Sequence, residues 1–456
     1  MRLASAVVVI VVLAGCKAQH RMPHDAQSGG SATVFDTTHD AFSQPSAWLT
    51  EPHRRAFFVG NSFFNLAWVS APASVADRDG LGPLFNARSC SGCHFKDGRG
   101  RPPDPGSPAS SLLLRISIAG RGPEGAPLGD PVYGDQIQVS ALPGVPAEAD
   151  VLVEYEEKPG SFPDGERYTL RVPHYRLERT GYGKPSEGLL QSPRVAPAIV
   201  GLGLLEAVPE AELASRVDPD DRDHDGISGR QNRVPDVRAG RTVPGRFGWK
   251  AEQPNVVQQC ASAFLGDMGL TTALFTRESH TEREVACQGL PNGGAPEVTP
   301  QVLEAIGVYA RSLAVPARRN VDDPTVARGE ELFAEVGCAK CHVPTLRTEP
   351  LADLAELPAE RIHPYTDLLL HDLGPALSDE RPTFEATGRE WRTPPLWGLG
   401  LVKQVNGHTS FLHDGRARNV QEAVLFHAGE ALVARDRYSA LARSERQALL
   451  AFLESL

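Results

Sequence analysis

Two five-residue runs, Cys90-Ser91-Gly92-Cys93-His94 and Cys338-Ala339-Lys340-Cys341-His342, repeat one pattern in widely separated parts of the chain. Cys-x-x-Cys-His is the attachment motif for c-type haem. The spacing has a physical reason. Two sulfurs one helical turn apart can each form a thioether to one haem vinyl group, and the next residue offers its imidazole to the iron from the same side. Composition alone would place roughly 0.003 such motifs in a chain of this kind. A redox dithiol is the alternative for a single pair, and a four-cysteine zinc site would need no His after either pair. The runs therefore predict two covalently bound c-type haems on Cys90/Cys93 and Cys338/Cys341, with His94 and His342 as proximal iron ligands.

The chain has seven cysteines, few enough to account for singly. Met1-Arg2-Leu3 precedes an apolar run, Ala4 to Ala14, that is too short to span a bilayer and reads as a signal peptide over 1–15. It ends in Leu13-Ala14-Gly15-Cys16, which resembles a bacterial lipoprotein cleavage box with Cys16 as the lipidated residue. The polar stretch that follows reads as a flexible, lipid-anchored tether over 16–45. The body should then face an oxidising compartment, periplasm or cell envelope, held to a membrane through the lipid alone. Cys260 and Cys287 remain. In that compartment their default state is a disulfide, contributing roughly 3 kcal/mol on the loop-entropy model; a redox-active dithiol is the rival.

Leu84-Phe85 and Leu332-Phe333 stand at the same offset ahead of the two haem motifs. Downstream, Pro197-Ala198-Ile199-Val200-Gly201-Leu202-Gly203-Leu204 matches Pro394-Pro395-Leu396-Trp397-Gly398-Leu399-Gly400-Leu401. The repeat is too long for a solenoid and suggests two related haem domains, a first over 46–299 and a second over 300–456. Alternation near 112–118, 151–156 and 168–177 predicts strands of a β insertion in the first. Helices are predicted over 300–313 and 444–456, so the expected fold is mainly α with a β-hairpin-rich insertion. The net charge of −11 leaves no basic excess to neutralise phosphates and excludes a basic nucleic-acid binder.

Further blocks sharpen this. Gly82-Pro83-Leu84-Phe85-Asn86 through Gly100, Gly201-Leu202-Gly203-Leu204-Leu205-Glu206, Asp225-Gly226-Ile227-Ser228-Gly229-Arg230, Gly245-Arg246-Phe247-Gly248-Trp249-Lys250 and Leu412-His413-Asp414-Gly415-Arg416-Ala417 resemble the bacterial di-haem oxidoreductase family, relatives of di-haem cytochrome c peroxidases. The resemblance implies two cytochrome c-like domains with one haem each, one relaying electrons while the other meets peroxide. It also implies a small donor protein, a cytochrome c or cupredoxin. At the position of His427 such peroxidases carry Met, and a relative that matures a quinone cofactor carries Tyr. His427 is thus the leading distal ligand of the second haem, with His413 its competitor. A bis-His haem should have a lower potential than a His/Met one.

The first haem's distal side is open to several readings. Met268 either ligates the iron or packs as a core residue; His174 and His280 are weaker candidates. Peroxide cleavage needs a proton-moving group, for which Glu206 is the catalytic candidate and Glu210 its alternative. Trp249 is either an electron bridge between the haems or a large core aromatic. Asp221, Asp223 and Asp225, followed by Gly226, match the first half of an EF-hand loop, although Asn232 stands where the bidentate Glu belongs, so they mark either a loose calcium site or a solvated acidic turn. The expected function is reduction of hydrogen peroxide by a di-haem cytochrome c peroxidase-like enzyme. The alternative is a non-enzymatic electron carrier with both irons six-coordinate, and a third reading is an oxidase of a protein or thiol substrate.

Overall fold

The computed structural model describes residues 26–456. The expected signal peptide over 1–15 and the lipidated Cys16 lie outside the described residues. Among those described, ten α-helices form: α1 (Glu51–Asn65), α2 (Leu202–Glu206), α3 (Glu210–Ala214), α4 (Val256–Met268), α5 (Pro300–Ser312), α6 (Pro324–Val336), α7 (Val402–Asn406), α8 (Val420–Phe426), α9 (Leu432–Ala440) and α10 (Arg443–Ser455). Sixteen strands accompany them, arranged as six two-stranded sheets and one of four strands. No helix among the described residues is long and apolar enough to cross a membrane.

This overturns the expected mainly α fold of two cytochrome c-like domains: helix and strand share the chain. Most of the additional strands are only two to four residues long, and some are paired with segments far away in sequence. Thr33–Val34 pairs in parallel with Val315–Pro316, and Leu370–Asp372 pairs antiparallel with Glu390–Arg392. Segments so short carry no alternation from which a strand could be read.

The longer helices start where local chemistry dictates. Thr299 accepts a hydrogen bond from the Val302 N–H ahead of α5, and Asp323 accepts one from Thr325 ahead of α6. Each helix has Pro at its first position, where a missing N–H costs nothing. Two crossings then organise the core. α1 packs on α5 and α6 on α10, each through a glycine that lets backbones touch. A Cβ on Gly60 would lie 2.2 Å from the Ala305 carbonyl oxygen, and one on Gly329 would lie 2.0 Å from that of Ala448. The Gly-Leu-Gly repeat is equally physical. Gly201 and Gly398 adopt positive φ (66° and 75°), while Cβ atoms on Gly203 and Gly400 would strike the carbonyls of Arg311 and Glu454. α5, the helix expected at the head of the second domain, packs on α1.

The tether expected over 16–45 is corrected for residues 26–45, which are packed. Ala41 and Phe42 are fully buried, and the Ser31 side chain and backbone bond Glu360. The four-stranded sheet is built on Leu112–Arg121, paired with Leu190–Val195. A long hairpin, Asp150–Ser161 with Arg167–Glu178, reaches out of the first half and clasps the second. At its tip Arg446 of α10 donates to Asp164 and Glu166 (2.7 and 2.6 Å) with its guanidinium 3.9 Å from the Phe162 ring centroid.

Gly60→Ala and Gly329→Ala are each expected to lower the unfolding free energy by about 1–3 kcal/mol in urea titrations. Steric overlap with a backbone carbonyl outweighs the helix propensity that alanine adds, which is at most about 1 kcal/mol.

Candidate functional site

Both Cys-x-x-Cys-His runs fold as single tight turns. The Cys93 and His94 N–H groups donate to the Cys90 carbonyl (3.1 and 2.9 Å), and His342 N–H donates to that of Cys338 (3.0 Å). Each turn delivers its imidazole to a backbone carbonyl: His94 Nδ1 lies 2.8 Å from Pro197 O, and His342 Nδ1 lies 2.8 Å from Tyr365 O. A carbonyl can only accept, so Nδ1 carries the proton and Nε2 keeps its lone pair, the tautomer a metal ligand needs. Burial lowers both imidazoles to about 4, so they are neutral at pH 7. Burial also pushes the Cys93 and Cys338 thiols up to about 12, the opposite of what an active redox dithiol requires.

Each turn opens on its own cavity. The first, about 230 Å³, is lined by Cys90, Cys93 and His94. The second, about 260 Å³, is lined by Cys338, Cys341 and His342. They share a wall to which Arg99, Trp249, Arg392, Pro394, Pro395 and Leu399 belong. Trp249 is fixed there by its indole N–H, which donates to Val195 O at 2.9 Å, and by the Arg99 guanidinium 5.4 Å from its ring centroid.

The walls fit haem. Arg99 and Arg392 donate to backbone carbonyls, and burial lowers each to about 10. Among the described residues neither forms a salt bridge. Such cations are expensive to bury without an anion, and the carboxylates of a haem would supply it. Gln259 and Trp397, both in the first cavity wall, leave Oε1 and Nε1 without partners.

The distal candidates divide. His427, at the end of α8, lines the second cavity with Nδ1 held 2.7 Å from Ala423 O; burial lowers its pKa. His413 lines the same cavity, stacked on Trp391 at 3.7 Å and 11°. Met268 is buried and lines the first cavity. His174 and His280 line neither cavity and face Glu156 and Glu278.

Two expectations are corrected. Glu206 does not line the first cavity. It ends α2, with Oε2 buried and unpartnered and its pKa raised by burial, and Glu210 is exposed at the start of α3. The carboxylates that do line the cavity are Glu252 and Asp267. Glu252 is ion-paired to Arg194, whereas Asp267 has its pKa raised by burial and accepts from Gln136 Nε2 at 3.0 Å. Nor are Cys260 and Cys287 bridged. Both are free thiols, because Cys260 faces the first cavity while Cys287 sits against the Tyr182 hydroxyl, 3.8 Å away.

Asp221, Asp223 and Asp225 do converge, with carboxylate oxygens within 4.8 Å of one another. One Asp225 oxygen also accepts from Lys340 Nζ at 2.9 Å, which ties the loop to the second Cys-x-x-Cys-His run. His371 carried no motif and was missed. It is buried between Asp367 (2.8 Å) and Glu430 (2.7 Å), 3.7 Å from Cys341 Sγ. Burial alone would lower its pKa, but these partners raise it well above the ordinary value.

The family model described as "Di-haem oxidoreductase, putative peroxidase" matches residues 23–119 and 125–456. The chain belongs to this di-haem oxidoreductase family. No curated protein matches it.

Burial lowers His413 to about 3. Between pH 6.5 and 3 the unfolded chain takes up a proton there that the folded chain refuses, so this site costs stability as pH falls. From pH 7 to pH 5 the wild type is expected to lose about 2 kcal/mol more than His413→Phe, measured by denaturant unfolding at each pH.

Proposed function

We propose that the chain is a lipid-anchored di-haem c-type peroxidase of the cell envelope, held through Cys16. It reduces hydrogen peroxide with electrons from a small cytochrome or cupredoxin. One observation carries the reading: two neutral imidazoles, each beside a cysteine pair, face cavities that share one wall of side chains. Redox centres bound on the two sides of that shared wall would exchange electrons through the layer that contains Trp249. The haems, when bound through thioethers at Cys90/Cys93 and Cys338/Cys341, supply the iron chemistry of peroxide reduction.

The chain's own residues do the rest. His94 and His342 present Nε2 because Pro197 and Tyr365 hold Nδ1. Arg99 and Arg392, in the wall that the two cavities share, would pair with the carboxylates of a bound haem. His427, in the second cavity wall, would be the second protein ligand of a haem bound there, and an imidazole in place of a thioether would give it a lower potential. Asp267 replaces Glu206 as the proton-moving group: it is in the first cavity, its carboxyl is pushed up by burial, and a protonated Oδ can deliver its proton to a departing oxygen. The acidic loop at Asp221, Asp223 and Asp225 takes calcium in this scheme, supported by the EF-hand-like pattern and the converging oxygens.

Met268 in the first cavity wall favours the second reading. If its sulfur takes the iron, both sites are closed and the protein carries electrons without acting on peroxide. EPR on the loaded protein, oxidised and then half-reduced, separates the two. A high-spin signal lost on peroxide addition is expected. Low-spin signals alone, unmoved by peroxide, would return the electron carrier.

Asp267→Asn is expected to lower peroxide turnover by about 100-fold or more while leaving the second haem's spectrum in place. Calcium at millimolar concentration should raise Tm by a few degrees or more, roughly what a ligand well above its Kd adds. Asp223→Asn should abolish that rise.

A further inference from the structure

Tyr309, on α5, is fully buried and plays no part in the chemistry described so far. Its helix neighbours Ile306 and Ala310 line the first cavity. Its ring belongs to an unbroken aromatic series. Phe64, itself in the cavity wall, lies 5.1 Å from Tyr309 and 6.2 Å from the His94 ring. On the other side Phe57 lies 4.9 Å from Tyr309, and Phe58 lies edge-on 5.5 Å beyond that. Phe58 is 52% exposed. The series thus runs from the first proximal ligand to the protein surface, and Tyr309 is its oxidisable member.

The hydroxyl has a partner suited to that role. Tyr309 Oη donates to Asp97 Oδ1 at 2.7 Å, and Ser43 Oγ donates to Oδ2 at 2.6 Å. Asp97 is 3% exposed and forms no salt bridge among the described residues. It is held in place by backbone bonds, donating its N–H to His94 O and accepting at its own carbonyl from Ile199 N–H (2.9 and 3.0 Å). Keeping a carboxylate buried on two hydroxyls, while the neighbouring Lys96 pairs with Asp40 instead, is costly. A phenol that loses an electron becomes a strong acid, and a buried tyrosine can be oxidised only if its proton has somewhere to go. Here the acceptor is already at hydrogen-bond distance.

We propose that Tyr309 is a redox-active tyrosine that moves oxidising equivalents from the first haem toward the surface, with Asp97 as its proton acceptor. A haem bound at Cys90/Cys93 and oxidised by hydrogen peroxide would supply the oxidant, so the inference rests on the peroxidase reading. Tyr309 gives one electron to that centre, which is reduced by one. The phenolic O–H bond breaks, an O–H bond forms on Asp97 Oδ1, and a neutral tyrosyl radical remains. A one-electron reductant at the Phe58 end restores the phenol, and Asp97 returns the proton.

The test uses the full, haem-loaded chain mixed with one equivalent of hydrogen peroxide, frozen rapidly and examined by EPR, with and without ring-deuterated tyrosine. An organic radical whose hyperfine pattern narrows on deuteration is expected. It should fall at least tenfold in Tyr309→Phe, which keeps the ring packing, and at least fivefold in Asp97→Asn. Infrared difference spectra should show a protonated carboxyl appearing with the radical in the wild type and missing in Asp97→Asn. A radical undiminished in Tyr309→Phe, or peroxide consumption by the wild type with no tyrosyl radical, overturns the inference. If peroxide leaves the haem spectrum unchanged, the peroxidase reading itself has failed. A photogenerated ruthenium(III) trisbipyridine oxidant then decides the tyrosine alone: equal radical yields in wild type and Tyr309→Phe overturn it, and a loss in the variant supports it.

Discussion

Pro197 and Tyr365 each lend a backbone carbonyl to a buried imidazole, and the packing around each of them holds that carbonyl in place. Pro197 is fixed because the chain beyond it must turn at Gly201 and press Gly203 against the Arg311 carbonyl. Tyr365 lies just ahead of the strand Leu370–Asp372, whose partner strand, Glu390–Arg392, carries Arg392 and Trp391 into the cavity walls. The tautomer of each histidine therefore depends on backbone packing tens of residues away. A side-chain acceptor could rotate or change its charge; a carbonyl in a packed loop does neither.

The layer between the cavities is unusual in its charge. Arg99 and Arg392 stand in it without carboxylate partners, while Lys250 lies behind Trp391 in a fully buried pair with Asp379 (2.9 Å). Lys250 also donates to Thr387 O at 2.7 Å, and Asp379 accepts from Ser192 as well as Lys250. A buried pair that satisfied earns little net stability, yet removing either partner would strand a charge. Such a network is better understood as holding the aromatic rings Trp391 and His413 rigidly face to face.

Much of this was legible from residues alone where the signal was local. The two Cys-x-x-Cys-His turns, the Gly-Leu-Gly repeat and the helices over 300–313 and 444–456 depend on short-range spacing. So do the strands near 112–118, 151–156 and 168–177, seen as Leu112–Arg121, Asp150–Ser161 and Arg167–Glu178. What escaped was set by tertiary contact. Glu206 looked catalytic from its neighbours, but α2 turns it away from the cavity that Asp267 enters from the far end of α4. Cys260 and Cys287 looked like a pair by elimination, yet helix and turn place them against different surroundings. His371 sits between Asp367 and Glu430, and no motif marks it.

The hairpin Asp150–Ser161/Arg167–Glu178 has a consequence for how the molecule comes apart. Besides gripping α10 through Arg446, it binds the second half along its length: Arg171 donates to the carbonyls of Gly415 and Arg416, and Arg418 reaches Thr169 O at 2.8 Å. An arm that emerges from one half and is seated on the other makes the two mechanically interdependent. Severing the chain between the repeats would leave the first piece with an unseated ribbon and the second with an uncovered helix. The two halves are thus expected to melt as one cooperative unit, and the spacing between the two cavities is preserved for as long as the protein is folded.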